Sequence, residues 1–223
     1  SSGSASAVSP QVAEGAAKLG PRFKRMQVAL VAIEPFSGLV RAWVGGRDYA
    51  KDQFDHVSQG RRQIGSTVKP FVYLTAMDRR LNGKIAATPI TVLPDAPLEV
   101  ELPYQQGVWR PENIDHHYRG NVTLRYALEK SLNLPAVYLA QKAGFEAVAV
   151  NLQAFRLAEE IPPLPAIALG AIDTSLLALT AAYGALANGG IYIAPRLFVA
   201  VIDRDGNELL AGEILEQPVA DEN

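Results

Sequence analysis

The string from Arg62 to Phe71, Arg-Gln-Ile-Gly-Ser-Thr-Val-Lys-Pro-Phe, constrains the fold most, because its proline follows directly on a lysine. Proline costs about 3 kcal/mol inside a helix but little in the first turn, where its missing N–H has no partner to lose. A helix is therefore expected to begin near Gly65, with Pro70 in its opening residues. That start puts Ser66 and Lys69 on one face, so the lysine amine can fold back to the serine hydroxyl. Ser66 then lies at the positive end of the helix, where free N–H groups stabilise negative charge on an attacked carbonyl oxygen. An ordinary lysine titrates near ~10.4 and is a poor base at neutral pH; it becomes one through burial or cationic neighbours. The adjacent Arg61-Arg62 pair is either such a neighbour or a solvated charge pair. A bare Ser-x-x-Lys arises by chance about once in a chain of this length, so the flanking glycine and proline carry the inference.

A second element lies downstream. Val122, Leu124, Ala127 and Leu128 approximate helical periodicity up to Lys130, and Pro135 follows shortly after, so a helix is expected to end between them. Ser131 and Asn133 in that turn can point into one cleft: a hydroxyl to relay a proton, a carboxamide to hold a substrate amide. On its own the same pattern is equally an ordinary helix-terminating loop.

Taken together, Ser-x-x-Lys and Ser-x-Asn resemble the penicillin-binding and serine β-lactamase superfamily, which carries these two motifs followed by Lys-Thr-Gly. The resemblance also runs through QVALVAIEPFSGLVRAWVGG (Gln27 to Gly46), VWRPEN (Val108 to Asn113), GNVTLRYALEKSLNLPAVYLA (Gly120 to Ala140) and AAYGALANGGIYIAP (Ala181 to Pro195). These strings, in this order, look like the transpeptidase domain of class A, bifunctional penicillin-binding proteins. The resemblance implies an α+β fold, an antiparallel sheet flanked by helices, incomplete in this chain. It implies Ser66 as nucleophile, Lys69 as its base, Ser131 as proton relay and Asn133 as a substrate-binding carboxamide. It also makes Trp109 a cleft wall stacking on substrate or antibiotic, a position where a buried loop anchor is the alternative. The implied activity is D,D-transpeptidation, with peptidoglycan stem peptides and β-lactam antibiotics as partners, no cofactor, and an extracytoplasmic location.

The chain departs from the family at two places. Phe54-Asp55-His56 stands where Phe-Asn-Arg is usual, and no lysine is followed by Thr-Gly or Ser-Gly. The expectation is a second polypeptide carrying the Lys-Thr-Gly strand, because two N-terminal strands left without it would expose unpaired edges. A serine β-lactamase and a catalytically silent scaffold module remain as alternative functions.

Residues 1–20, opening with Ser1-Ser2-Gly3-Ser4, read as a flexible linker or cloning scar, 21–212 as the N-terminal and central part of the domain, and 213–223 as an acidic tail or linker. A net charge of -2 argues against nucleic acid as a partner. No run of about 18 apolar residues occurs, so a membrane anchor is expected only upstream. Cysteine is absent, which removes thiolate chemistry. His56, His116 and His117 do not predict a metal site: adjacent residues on an extended segment point to opposite sides, and no third ligand is suitably spaced.

For the remaining elements, β-rich runs at Gln27–Ile33 and Leu39–Val44 predict a hairpin around Pro35–Gly38, and Leu197–Asp203 with Glu208–Leu210 a late one. The stretch Thr88–Pro111 reads as loops and short strands. Helices are expected at Thr123–Lys130, Pro135–Ala143, Glu146–Phe155 and Thr174–Ala187, the last capped by Asp173 or Thr174.

Overall fold

Val68, Phe71, Val72 and Ala76 place a continuous apolar face on the helix that follows Ser66, and that helix is the centre of the molecule. The computed structural model describes residues 26–102, 107–212 and 215–219. A 3₁₀ turn, Gly65–Val68, leads directly into α1, Lys69–Met77, so Pro70 occupies the first helical turn as its chemistry requires. Phe71 is fully buried and meets Phe155 edge to face at 4.9 Å and Tyr183 at 5.3 Å. Around α1 pack α4 (Asn133–Ala143) and α5 (Phe145–Ala154), whose Ala136, Val137, Ala140, Val148 and Leu152 are buried in the same core. Small residues at 136 and 140 let the helices approach closely.

The other helices are α2 (Arg79–Asn82), α3 (Leu124–Glu129) and α6 (Leu176–Ala187), with a second 3₁₀ turn at Pro165–Leu169. Thr123 caps α3 by accepting from the Tyr126 N–H. The cap of α6 is Ser175, which accepts from the Ala178 N–H, and not Asp173 or Thr174; those two precede it in the strand that Ser175 ends.

The fold is α+β, yet the described strands form six two-stranded antiparallel ladders where one sheet was expected. Each of these strands has two to five residues. The N-terminal hairpin pairs β1 (Leu30–Ile33) with β2 (Val40–Val44), and β3 (Arg61–Gln63) pairs with β8 (Asp173–Ser175). β4 (Val92–Asp95) pairs with β7 (Gly120–Thr123), and β5 (Val100–Glu101) with β6 (Val108–Trp109). β9 (Ile191–Ile193) pairs with β12 (Glu216–Pro218), and β10 (Ala200–Ile202) with β11 (Glu208–Ala211). Within the stretch expected as an acidic tail, residues 216–218 are thus a strand, and Val219 beside them is buried. Leu30, Val44, Val201, Ile202 and Leu209 stay exposed on the two outer hairpins.

Candidate active site

Two backbone devices present Ser66. Gly65 takes φ +54, a left-handed conformation that a side chain disfavours, and its N–H donates to the Gly170 carbonyl at 3.2 Å. Gly170, at φ +80, faces it so closely that a Cβ there would lie 2.1 Å from the Gly65 oxygen. Together with the Ile64 N–H donating to Ile172 O at 3.2 Å, this contact anchors the turn against the segment before β8. Ser66 is exposed; Lys69, three residues on, is buried.

The Lys69 ammonium is the hub of the cluster. Its Nζ donates to Ser66 Oγ at 3.1 Å, Ser131 Oγ at 3.1 Å, Ser131 O at 2.6 Å and Asn133 Oδ1 at 2.7 Å. Burial penalises the charged amine and lowers it to about 8; Arg61 and Arg62, exposed in β3, are not the cause. An amine titrating there is neutral in about a tenth of molecules at pH 7, against about one in a few thousand for an ordinary lysine.

Ser131 reaches the amine through an unusual backbone. It adopts φ +53, costing roughly 1–2 kcal/mol for a residue with a Cβ, and so aims both its carbonyl and its hydroxyl at Lys69. Asn133 is not in the turn, as the sequence suggested, but opens α4; its Nδ2 donates to the Glu112 carbonyl at 2.8 Å, leaving Oδ1 for the lysine. Four residues expected from the sequence, Ser66, Lys69, Ser131 and Asn133, are thus brought together. Trp109 lies in β6, half-buried and packed on the core, and takes no part in this hydrogen-bonded cluster. His116 pairs instead with Glu112, its Nδ1 at 2.7 Å from the carboxylate.

A family model of the penicillin-binding protein transpeptidase domain matches residues 28–223. The chain belongs to that transpeptidase family. Penicillin-binding protein 1B of Vibrio cholerae is 36% identical over 201 residues, 90% of this chain and 24% of that protein. The crystal structure of penicillin-binding protein 1A from Haemophilus influenzae superposes with a TM-score of 0.76 at 32% identity, over 85% of this chain and 28% of that one. PonA1 of Mycobacterium tuberculosis in complex with penicillin V aligns with a TM-score of 0.68 at 28% identity, over 92% of this chain and 56% of that one. The transpeptidase chain thus spans about a quarter of the length of the curated relatives it matches.

Sequence reasoning missed two residues that bond to this cluster's backbone: the Gly170 carbonyl accepts from the Gly65 N–H and Asn113 Oδ1 from the Asn133 N–H. Gly170 gives no local signal, since its role is a contact with Gly65 far away in the chain. Asn113 was visible as the last residue of Val-Trp-Arg-Pro-Glu-Asn, but its partners are not sequence neighbours.

Proposed function

We propose that this domain is a serine-type D,D-transpeptidase that cross-links peptidoglycan stem peptides. The observation that carries the proposal is a buried amine 3.1 Å from an exposed serine hydroxyl and 3.1 Å from a second hydroxyl. In the proposed sequence neutral Lys69 takes the Ser66 proton while Oγ bonds to the carbonyl carbon of the penultimate D-alanine. The Ser66 N–H, at the start of the helix, is one donor to the resulting oxyanion. Collapse of that intermediate breaks the peptide bond, and the lysine's proton passes through the Ser131 hydroxyl to the departing D-alanine amine. The amine of a neighbouring stem peptide then attacks the acyl ester, restoring Ser66 and forming the cross-link. Asn133, with its side chain fixed on both sides, presents its amide to the substrate backbone.

A β-lactam offers the same nucleophile a strained amide, which makes such antibiotics ligands of the same site; the penicillin V complex of PonA1 supports this reading. We place Trp109 at the margin of the cleft, since it ends β6 three residues before Glu112, whose carbonyl holds Asn133. The unit carrying this chemistry is proposed to run on through β12, past the limit at residue 212, because β12 pairs with β9 and Val219 is buried. Its substrate places it outside the cytoplasm; no described helix is long and apolar enough to cross a membrane.

The test is turnover by the protein as its gene encodes it, given a stem pentapeptide donor and an amine acceptor. Equimolar D-alanine and a new donor–acceptor amide, both absent with Ser66→Ala, are expected. D-alanine release without any amide product, at saturating acceptor, would contradict transpeptidation and favour hydrolysis.

A further inference from the structure

Asn133 and Ser131 can serve Lys69 only if the start of α4 is held still, and α4 has no cap of its own: the residue before it is Leu132, whose side chain makes no capping bond. The cap comes from another loop. Asn113 Oδ1 accepts from the Asn133 N–H at 2.8 Å and from the Leu134 N–H at 3.4 Å. Its Nδ2 donates to Asp95 Oδ1 at 2.6 Å and to the His117 carbonyl at 2.8 Å. Both groups are interior, Asn113 being 3% and Asp95 0% exposed. The second oxygen of Asp95 accepts from the Arg119 N–H at 3.0 Å and faces its guanidinium at 3.5 Å.

These partners fix which way the Asn113 amide faces. Asp95 and the His117 carbonyl are pure acceptors, and the two N–H groups of α4 are pure donors, so a reversed amide would set like against like on both sides. An anionic acceptor makes the stronger bond and therefore sets the choice. We propose that Asn113, oriented by the buried carboxylate of Asp95, is a positioning residue that caps α4 and so holds Asn133 and Ser131 against the Lys69 amine. The inference rests on the transpeptidase reading of the cluster and adds to it two residues that touch neither substrate nor the reacting atoms.

The geometry has a chemical signature. Asn133 Oδ1 accepts from the ammonium form of Lys69 and so favours it; a misplaced Asn133 withdraws that bond and makes the amine easier to deprotonate. The groups facing Lys69 are the uncharged Ser66, Ser131 and Asn133. On the capping loop the charged groups are Arg110, paired with Glu99; Arg119, held by Asp95 and Asp115; and Glu112, whose carboxylate meets His116. Asp95→Asn replaces the acceptor with a group that can donate to Asn113, which permits the reversed amide and turns an N–H towards α4.

The experiment measures the second-order rate of acylation by a fluorescent penicillin from pH 5 to pH 10. Wild type, Ser66→Ala, Asp95→Asn and Asn113→Ala are compared in the protein as its gene encodes it, with thermal melts alongside. The expected result for both Asp95→Asn and Asn113→Ala is a limiting rate at least about tenfold lower, with the acid limb displaced about one pH unit downward. Simple loss of folded protein lowers the rate and leaves the midpoint in place. An unmoved midpoint in a folded variant overturns the proposal. So does a shift in Asp95→Asn without one in Asn113→Ala, which would mark an effect of charge. Failure of both variants to fold also overturns it, by assigning the pair a purely structural role. If wild type is not acylated, or Ser66→Ala is acylated equally, the transpeptidase reading itself has failed.

Discussion

Gly170→Ala is the sharpest test of how Ser66, the proposed nucleophile, is presented. A Cβ at this position would meet the Gly65 oxygen at 2.1 Å, its nitrogen at 2.5 Å and its carbonyl carbon at 2.6 Å. Carbon atoms in ordinary contact sit about 3.5 Å or more from such neighbours, so the two segments must part by roughly 1 Å. The alanine must also hold φ +80, at roughly 1–2 kcal/mol. Parting the two segments loosens the Gly65 N–H bond to Gly170 O, worth about 0.5–1.5 kcal/mol net. The sum is about 1.5–3.5 kcal/mol, a fall of roughly 3–14 °C in the domain's melting temperature. Because Gly65 precedes Ser66, the same displacement moves Oγ relative to Lys69, and misplacement by about 1 Å costs about 100-fold in rate. Gly83→Ala is the control: Gly83 has φ +67 and no atom within 4 Å of a built Cβ, so it incurs the backbone strain alone. The assay is β-lactam acylation rate beside thermal melts for both variants. Gly170→Ala should lose about 100-fold in rate and Gly83→Ala almost nothing. A folded Gly170→Ala that acylates within about threefold of wild type would refute the argument.

Other consequences can be measured alongside. If neutral Lys69 is the base, as proposed, its lowering by burial to about 8 means that acylation should climb about tenfold per pH unit below pH 7 and level off above 9; a flat profile from pH 6 to pH 8 would remove Lys69 from that role. Ser131→Ala and Ser131→Gly should lose acyl transfer equally, by about 100-fold or more, because both lack the hydroxyl; recovery in the glycine variant, which relieves φ +53, would shift the role to the backbone. Phe71→Ala empties the contact with Phe155 and Tyr183 and should cost about 3–5 kcal/mol in denaturant unfolding; a loss under about 1 kcal/mol would mean the core collapses around it.

What the sequence revealed of this site followed from distance along the chain. Ser66 and Lys69 were legible because three residues of helix join them, and Pro70 marked where that helix starts. Ser131 and Asn133 were legible only through their place in an ordered series of motifs, since nothing local links them to Lys69 across more than 60 positions. The left-handed Ser131 and the cap from Asn113 are products of tertiary packing and leave no periodic trace. Helices α4 and α5 were placed within about two residues, as strongly apolar segments allow. The short strands were harder: Arg61-Arg62-Gln63 pairs with Asp173-Thr174-Ser175 through backbone bonds that polar side chains do not advertise. For the same reason Thr174 looked like a cap, while the bond is made by Ser175.

The central claim is that Ser66 is the nucleophile of an acyl transfer assisted by buried Lys69. Intact-mass analysis after exposure to penicillin, followed by peptide mapping, addresses it directly. The account predicts one adduct of the antibiotic's mass on the peptide containing Ser66, absent from Ser66→Ala and strongly slowed in Lys69→Ala. An adduct that maps to another residue, or that persists in Ser66→Ala, would contradict it.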